Sequence, residues 1–189
     1  MHYTLMLWQT DHVNFGGLLN LLDGELKQLR AGSSPDYGLM LDIMTYMIDY
    51  SDRLHHPKED LAFARLKALD ANAGPTILEL TEQHAKLRAM GKTLVSELAD
   101  VVNGSIVPIG RIEATAHAYV EGLRAHMRTE EKLILPVAAR LLTDADWAAV
   151  DAAIGNFNDP LFGSQVEERF AQLRNQIYRQ SQVDRAIRR

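Results

Sequence analysis

The sequence predicts an all-α protein: an antiparallel up-down four-helix bundle over residues 1–142, followed by a C-terminal helical extension over 143–189. Three observations carry this reading. Four long segments repeat apolar residues at steps of three and four, the period of a helix with one buried face. Short clusters of turn formers separate the segments. Helix formers (Leu, Ala, Arg, Glu, Met) dominate the composition, and β-branched runs are scarce.

The first stripe is Leu5, Trp8, His12, Phe15, Leu19, Leu22, Leu26 and Leu29, closed by Ala31-Gly32-Ser33-Ser34-Pro35. The second is Leu41, Met44, Ile48, Ser51, His55, Glu59, Phe63 and Leu66, closed by Asn72-Ala73-Gly74-Pro75. The third is Ile77, Leu80, His84, Leu87, Gly91, Leu94, Leu98 and Val101, closed by Asn103-Gly104 with Pro108 beyond. The fourth is Ile109, Ile112, Ala116, Tyr119, Leu123, His126, Glu130, Leu133 and Val137, ending before Thr143-Asp144. The remainder, with DADWAAVDAAI and NDPLFGSQVEERFAQLRNQI, reads as further helix that covers the bundle or pairs two copies into a homodimer.

At 189 residues the chain suits one domain with a real core. A net charge of -5 argues against a nucleic-acid partner, which needs a clustered basic surface. The one basic cluster, Arg174, Arg179, Arg185, Arg188 and Arg189, reads as a solvated helix end. Cysteine is absent, which removes disulfides, iron–sulfur clusters, zinc-thiolate sites and thiol catalysis. The N-terminus has no basic region followed by an apolar one, and no apolar run reaches the length of a membrane span. The expected location is the cytoplasm, with no membrane partner.

Polar residues interrupt the stripes, and they point to chemistry. Two copies of His-x-x-x-Glu occur, His55/Glu59 and His126/Glu130. A four-residue helical step brings the two side chains to one face, roughly 6 Å apart along the axis. His12 and His84 lie on the stripes of the other two segments. A buried carboxylate is costly unless paired or bound to a cation, so Glu59 and Glu130 need a positive partner inside. Antiparallel neighbours joined by short loops meet at equal distances from the loop. His12 and His55 both lie about 21–22 residues from the first turn, and His84 and His126 about as far from the third, so each pair shares a level.

The same geometry sorts the remaining candidates. His56 falls with Thr45, Asp49, Asp52 and Asp60 on a line read as an outer polar face, from which it supports a neighbouring ligand at most. His117 falls with Glu121, Arg124, Arg128 and Glu131, also outside, and His2 is near the terminus. Pro57 removes a backbone donor and is expected to kink the second helix beside His55. Met40, Met44, Met47 and Tyr119 read as core, with Tyr119 also in position to hydrogen-bond an oxygen species held by a metal.

Imidazole and carboxylate without sulfur suit iron, manganese or zinc. Six ligands, His12, His55, Glu59, His84, His126 and Glu130, exceed what one tetrahedral zinc takes, so two carboxylate-bridged ions, preferably iron, fit better. Ferritin-type di-iron bundles use Glu-x-x-His pairs, whereas here His precedes Glu and imidazole outnumbers carboxylate.

At these residues the chain resembles the hemerythrin-like HHE cation-binding family, over about residues 4 to 141. The resemblance rests on Asp11-His12, HHPKED from His55 to Asp60, Glu82-Gln83-His84, and HMRTEEKLILP from His126 to Pro136. It implies a hemerythrin-like bundle with a non-haem di-iron centre, with His12, His55, His84 and His126 terminal and Glu59 and Glu130 bridging. Oxygen-carrying members have a further histidine one turn after the third-helix ligand, where this chain has Arg88, which implies a more open site. The expected function is binding of, or reaction with, dioxygen, nitric oxide or peroxide, in sensing, scavenging or an iron-centre stress response. Enzymatic turnover would require an electron donor of unknown identity. The alternatives are an iron-handling donor protein and a metal-free helical interaction module.

Overall fold

The computed structural model describes residues 2–155 and 158–187, and no strand occurs among them. Helix α1 spans Tyr3–Arg30. The second arm of the bundle is built in three pieces: α2 (Tyr37–Tyr46), a π-helical segment (Met47–His55) and α3 (His56–Leu69). Helix α4 spans Gly74–Val102. The fourth arm is again interrupted: α5 (Ile109–Thr129), a second π segment (Glu130–Ile134) and α6 (Leu135–Leu141). Beyond it lie α7 (Asp144–Ile154) and α8 (Ala171–Ile187). No helix among the described residues is long and apolar enough to cross a membrane.

The turn signals act as stops for physical reasons. Gly32 and Gly104 adopt φ of +75° and +85°, the left-handed region that lets a chain leave a helix. The next amide then turns back: Ser33 N–H donates to the Gln28 carbonyl at 3.0 Å, and Ser105 N–H to that of Asp100 at 2.8 Å. Asp36 caps α2 by accepting from Leu39 N–H at 2.9 Å, and Thr143 with Asp146 forms a capping box on α7.

Both π segments follow one rule. His56 N–H bonds to the Ser51 carbonyl, and Leu135 N–H to that of Glu130, each five residues back. Pro57 and Pro136 then sit in the first turn of the resuming α-helix, where a missing N–H costs nothing. The kink expected at Pro57 takes this form. Each π segment accommodates an extra residue, so the buried stripe changes phase across it. Leu133 is 55 % exposed where the stripe expected it inside, while Ile134, Leu135 and Ala138 are buried. In the second arm Met40 and Met47 are buried, while Leu41 and Ile48 are only partly so. Ile109 is also exposed, at the start of its helix.

The apolar interior divides into two cores. Phe15, Leu22, Met44, Leu94 and Leu123 belong to one, and Leu5, Trp8, Phe63, Leu80 and Leu135 to the other. His12 falls between Trp8 and Phe15, and His84 between Leu80 and Leu87, so a polar layer separates the cores. The C-terminal part seals both. Trp147 of α7 is buried edge-on against Trp8 (centroids 5.5 Å, 72°), while Leu161, Phe170 and Leu173 enter the first core. Tyr46 donates to Asp159 at 3.0 Å, and Arg169 pairs with Asp49 at 2.7 Å. Arg174 and Arg179 are exposed on α8, and Arg188 and Arg189 lie outside the described residues.

Trp147→Ala would leave a cavity beside Trp8, and a loss of about 3–5 kcal/mol of stability is expected. Urea denaturation followed by circular dichroism checks it; an unchanged midpoint would mean that α7 contributes nothing to the second core.

Candidate metal centre

All six residues singled out by their pattern meet in the polar layer. His12, His55, Glu59, His84, His126 and Glu130 are each no more than 4 % exposed. Glu59 and Glu130 stand at the centre, and the four rings approach them from four arms of the bundle. Glu59 Oε1 is 3.0 Å from His55 Nε2 and 3.7 Å from His12 Nε2, and its Oε2 is 3.6 Å from His84 Nε2. Glu130 Oε2 is 3.3 Å from His12 Nε2, and its Oε1 is 3.1 Å from His126 Nε2 and 3.7 Å from His84 Nε2. Each carboxylate therefore gives one oxygen to the His12/His55 side and the other to the His84/His126 side.

The opposite nitrogen of every ring is already committed. His12 Nδ1 lies 3.1 Å from Glu131, His55 Nδ1 2.9 Å from Asp11, and His84 Nδ1 2.9 Å from Asp60. His126 Nδ1 lies 3.0 Å from the Gln83 side-chain oxygen. With Nδ1–H donated outward, Nε2 keeps its lone pair facing the carboxylates. The four holders form a closed ring: α1 supplies one to the second arm, α3 one to α4, α4 one to α5, and the fourth arm one back to α1.

The inward atoms do not satisfy each other. His12 Nε2, His55 Nε2 and all four carboxylate oxygens of Glu59 and Glu130 are buried without a hydrogen-bond partner, because they converge on common points instead of aiming at one another. His84 Nε2 and His126 Nε2 approach to 3.0 Å, two lone pairs face to face unless a cation or proton lies between them. Four buried carboxylate oxygens and four imidazoles in two groups are a donor set that hard-to-borderline cations fit, and the His/Glu cluster could hold metal.

Without metal, protons supply the positive charge. Burial opposes ionisation of His12, but contacts with Glu130 and Glu59 outweigh it and raise its pKa to about 11. His55 and His84 are likewise desolvated yet raised to about 9, by Glu59 and Asp11 in one case and by Asp60 and Glu130 in the other. Burial alone would lift both glutamates, but the surrounding imidazoles hold them well below the usual carboxylate range.

One expectation is overturned. His56 is 1 % exposed and Asp52 3 %, so the line on which they fall is not an outer face. The π segment rotates the following residues, so that His55, His56 and Glu59 all turn inward. Asp60, placed outside by the same line, instead holds His84. His117 is exposed as expected. His2 accepts from Thr4 N–H at the start of α1 and stacks on Trp147. Tyr119 is fully buried, its hydroxyl unpartnered and its pKa pushed up by burial and then by Asp52. The Nδ1 holders were not singled out from sequence. Their signal is adjacency: Asp11, Asp60, Gln83 and Glu131 each stand next to one of the six.

The raised histidine pKa values make a sign prediction for the metal-free protein. Protonation stabilises the fold fully below 6.5, and that contribution is lost as pH rises through about 9 to about 11. Unfolding free energy measured in chelator across this range is expected to fall; a flat profile would show that the layer is not held by imidazolium.

A family model, the hemerythrin HHE cation binding domain, matches residues 5–138. No curated protein matches the chain. With the matched span covering most of the sequence and all six inward residues, the chain belongs to the hemerythrin HHE cation-binding family.

Proposed function

We propose that this protein holds two iron ions in the polar layer, bridged by Glu59 and Glu130, and uses them to bind or react with a small diatomic gas or peroxide. The observation that carries the proposal is the convergence of buried nitrogen and carboxylate atoms that have no hydrogen-bond partner. On this reading His12 and His55 would hold one ion and His84 and His126 the other, with Glu59 and Glu130 shared between them. Iron in such a site supplies electrons and an exchangeable coordination position. No organic substrate is needed to account for the pocket.

The protein's own part is orientation. The four Nδ1 holders fix each ring and increase its basicity. Trp8 and Phe15 lie edge-on to His55 at 6.2 and 5.1 Å and pack against its ring. A cleft of about 480 Å³, whose lining includes Asp11, Tyr50, His55 and Asp159, reaches the edge of the layer at His55. It admits a small molecule to the edge of the centre, with Tyr50 O–H donating to Asp11 at 3.3 Å behind His55.

The acidic wall of this cleft favours a second reading, an iron-handling protein whose cargo passes along Asp11, Asp151 and Asp159. Lability separates the two: a donor loses iron to a mild chelator, whereas a gas- or peroxide-responsive centre keeps it through redox cycles.

Anaerobic reconstitution with ferrous iron, followed by admission of oxygen, tests the proposal. Two irons per chain and new near-ultraviolet and visible absorption are expected. Glu59→Ala and Glu130→Ala should each abolish two-iron loading while circular dichroism remains helical. Full iron content in either variant would overturn the bridging assignment.

A further inference from the structure

Helix α1 carries two stripes, and only one of them is covered. The inner one, from Leu5 to Leu29, is buried in the two cores. The outer one runs through Tyr3, Met6, Thr10, Val13, Gly17 and Asn20 at alternating steps of three and four, and all six are exposed. It is offset from the inner stripe by two residues, a turn of about 200°, so it lies on the back of the helix. Outer faces elsewhere in the bundle are charged: α4 exposes Glu79, Glu82, Lys86 and Lys92. No exposed position of α1 from Tyr3 to Asn20 carries a charge. Instead Tyr3 is 68 %, Met6 53 % and Val13 75 % exposed, and an open hollow of about 480 Å³ runs along Met6, Gln9, Thr10 and Val13. A contiguous apolar patch of this kind marks a contact surface.

What fits this stripe is the stripe itself, reversed. Its bulk is graded, with Tyr3 and Met6 towards one end and Gly17 and Gly24 towards the other, where a Cβ on either glycine would meet nothing within 4 Å. In an antiparallel pair with a two-fold axis beside Val13, Tyr3 of each copy comes level with Gly24 of the other, and Thr10 with Gly17. Large residues then lie over small ones, along a seam with the 3.5-residue repeat of a coiled coil. An uncharged seam also meets its own copy without repulsion, although each chain carries a net charge of -5.

The flank of the seam adds charge complementarity. On the fourth arm, Arg124 stands level with Asn20, to which it donates at 2.8 Å, and Glu131 stands level with His12 at 3.1 Å. Arg128 lies between them, exposed and without an ion-pair partner among the described residues, and the Glu131 side chain is 47 % exposed. The same two-fold axis brings Arg128 of one copy level with Glu131 of the other, and does so twice.

We infer that two copies of this chain associate through the outer stripe of α1, antiparallel about a two-fold axis beside Val13. The contact is independent of the polar layer and of the C-terminal part. Tyr3, Leu7 and Thr10 also line the cleft that reaches His55, so the second copy stands at the rim of that cleft.

Analytical ultracentrifugation of the unaltered protein over a range of concentrations decides association. A concentration-dependent shift from one chain to two is expected; a single-chain mass at every concentration would overturn the proposal. Val13→Glu sets two carboxylates beside the axis and should weaken the dimer at least about tenfold. Its circular dichroism should be unchanged, because Val13 is exposed. An undiminished dimer in that variant would move the contact to another face and overturn the assignment to α1. The chain has no cysteine, so single cysteine substitutions report the register. Under mild oxidation Val13→Cys should form an interchain disulfide. Met6→Cys should not, since an antiparallel pair holds the two copies of that position about 20 Å apart. Cross-linking at Met6 as readily as at Val13 would overturn the antiparallel arrangement, and cross-linking at neither would overturn the stripe as the contact.

Discussion

Two glutamates with no solvent contact, placed side by side in the middle of a helical bundle, are the constraint around which the rest of this structure is arranged. Like charges at this separation, out of water, cannot both remain ionised without compensating positive charge. Four imidazoles provide the first layer of compensation, and the acidic and amide side chains behind them provide the second. The apolar interior yields to this demand and separates into two cores, one above the layer and one below. The C-terminal part then closes both with aromatic residues, Trp147 at one end and Phe170 at the other.

Much of this was legible in the sequence. The stripes of the first and third helices are buried almost residue for residue, because each is an uninterrupted α-helix whose phase is kept from end to end. Gly32 and Gly104 marked stops that the backbone realises through positive φ. The six inward ligand candidates were legible for the same reason: His12 and His84 lie on unbroken helices, and each His-x-x-x-Glu pair spans only one turn.

What the sequence did not disclose lies in the second and fourth arms. A helical wheel assumes a constant turn per residue, and the segments Met47–His55 and Glu130–Ile134 depart from it. Around each one the wheel misassigns residues, so Leu133 was expected inside in place of Ile134, and His56 outside, although Glu59, Phe63 and Leu66 stay on the expected stripe. Pro57 and Pro136 were visible, but a proline signals only that a donor is missing. It does not say whether the helix bends, breaks or takes in a residue. Asp52 was assigned to solvent by the same constant-phase assumption.

The ring of holders has a mechanical meaning beyond orienting imidazoles. Asp11, Asp60, Gln83 and Glu131 each reach from one arm to a histidine on another, and the sequence of hand-offs returns to its start. Such a loop behaves like a train of meshed gears. A small axial rotation of any one helix pulls on the ring of its neighbour, which in turn presses on the next. Each hand-off thereby sets the rotation of one arm relative to the next. The contacts that orient the imidazoles are thus also the contacts that tie the four arms to one another at the level of the polar layer.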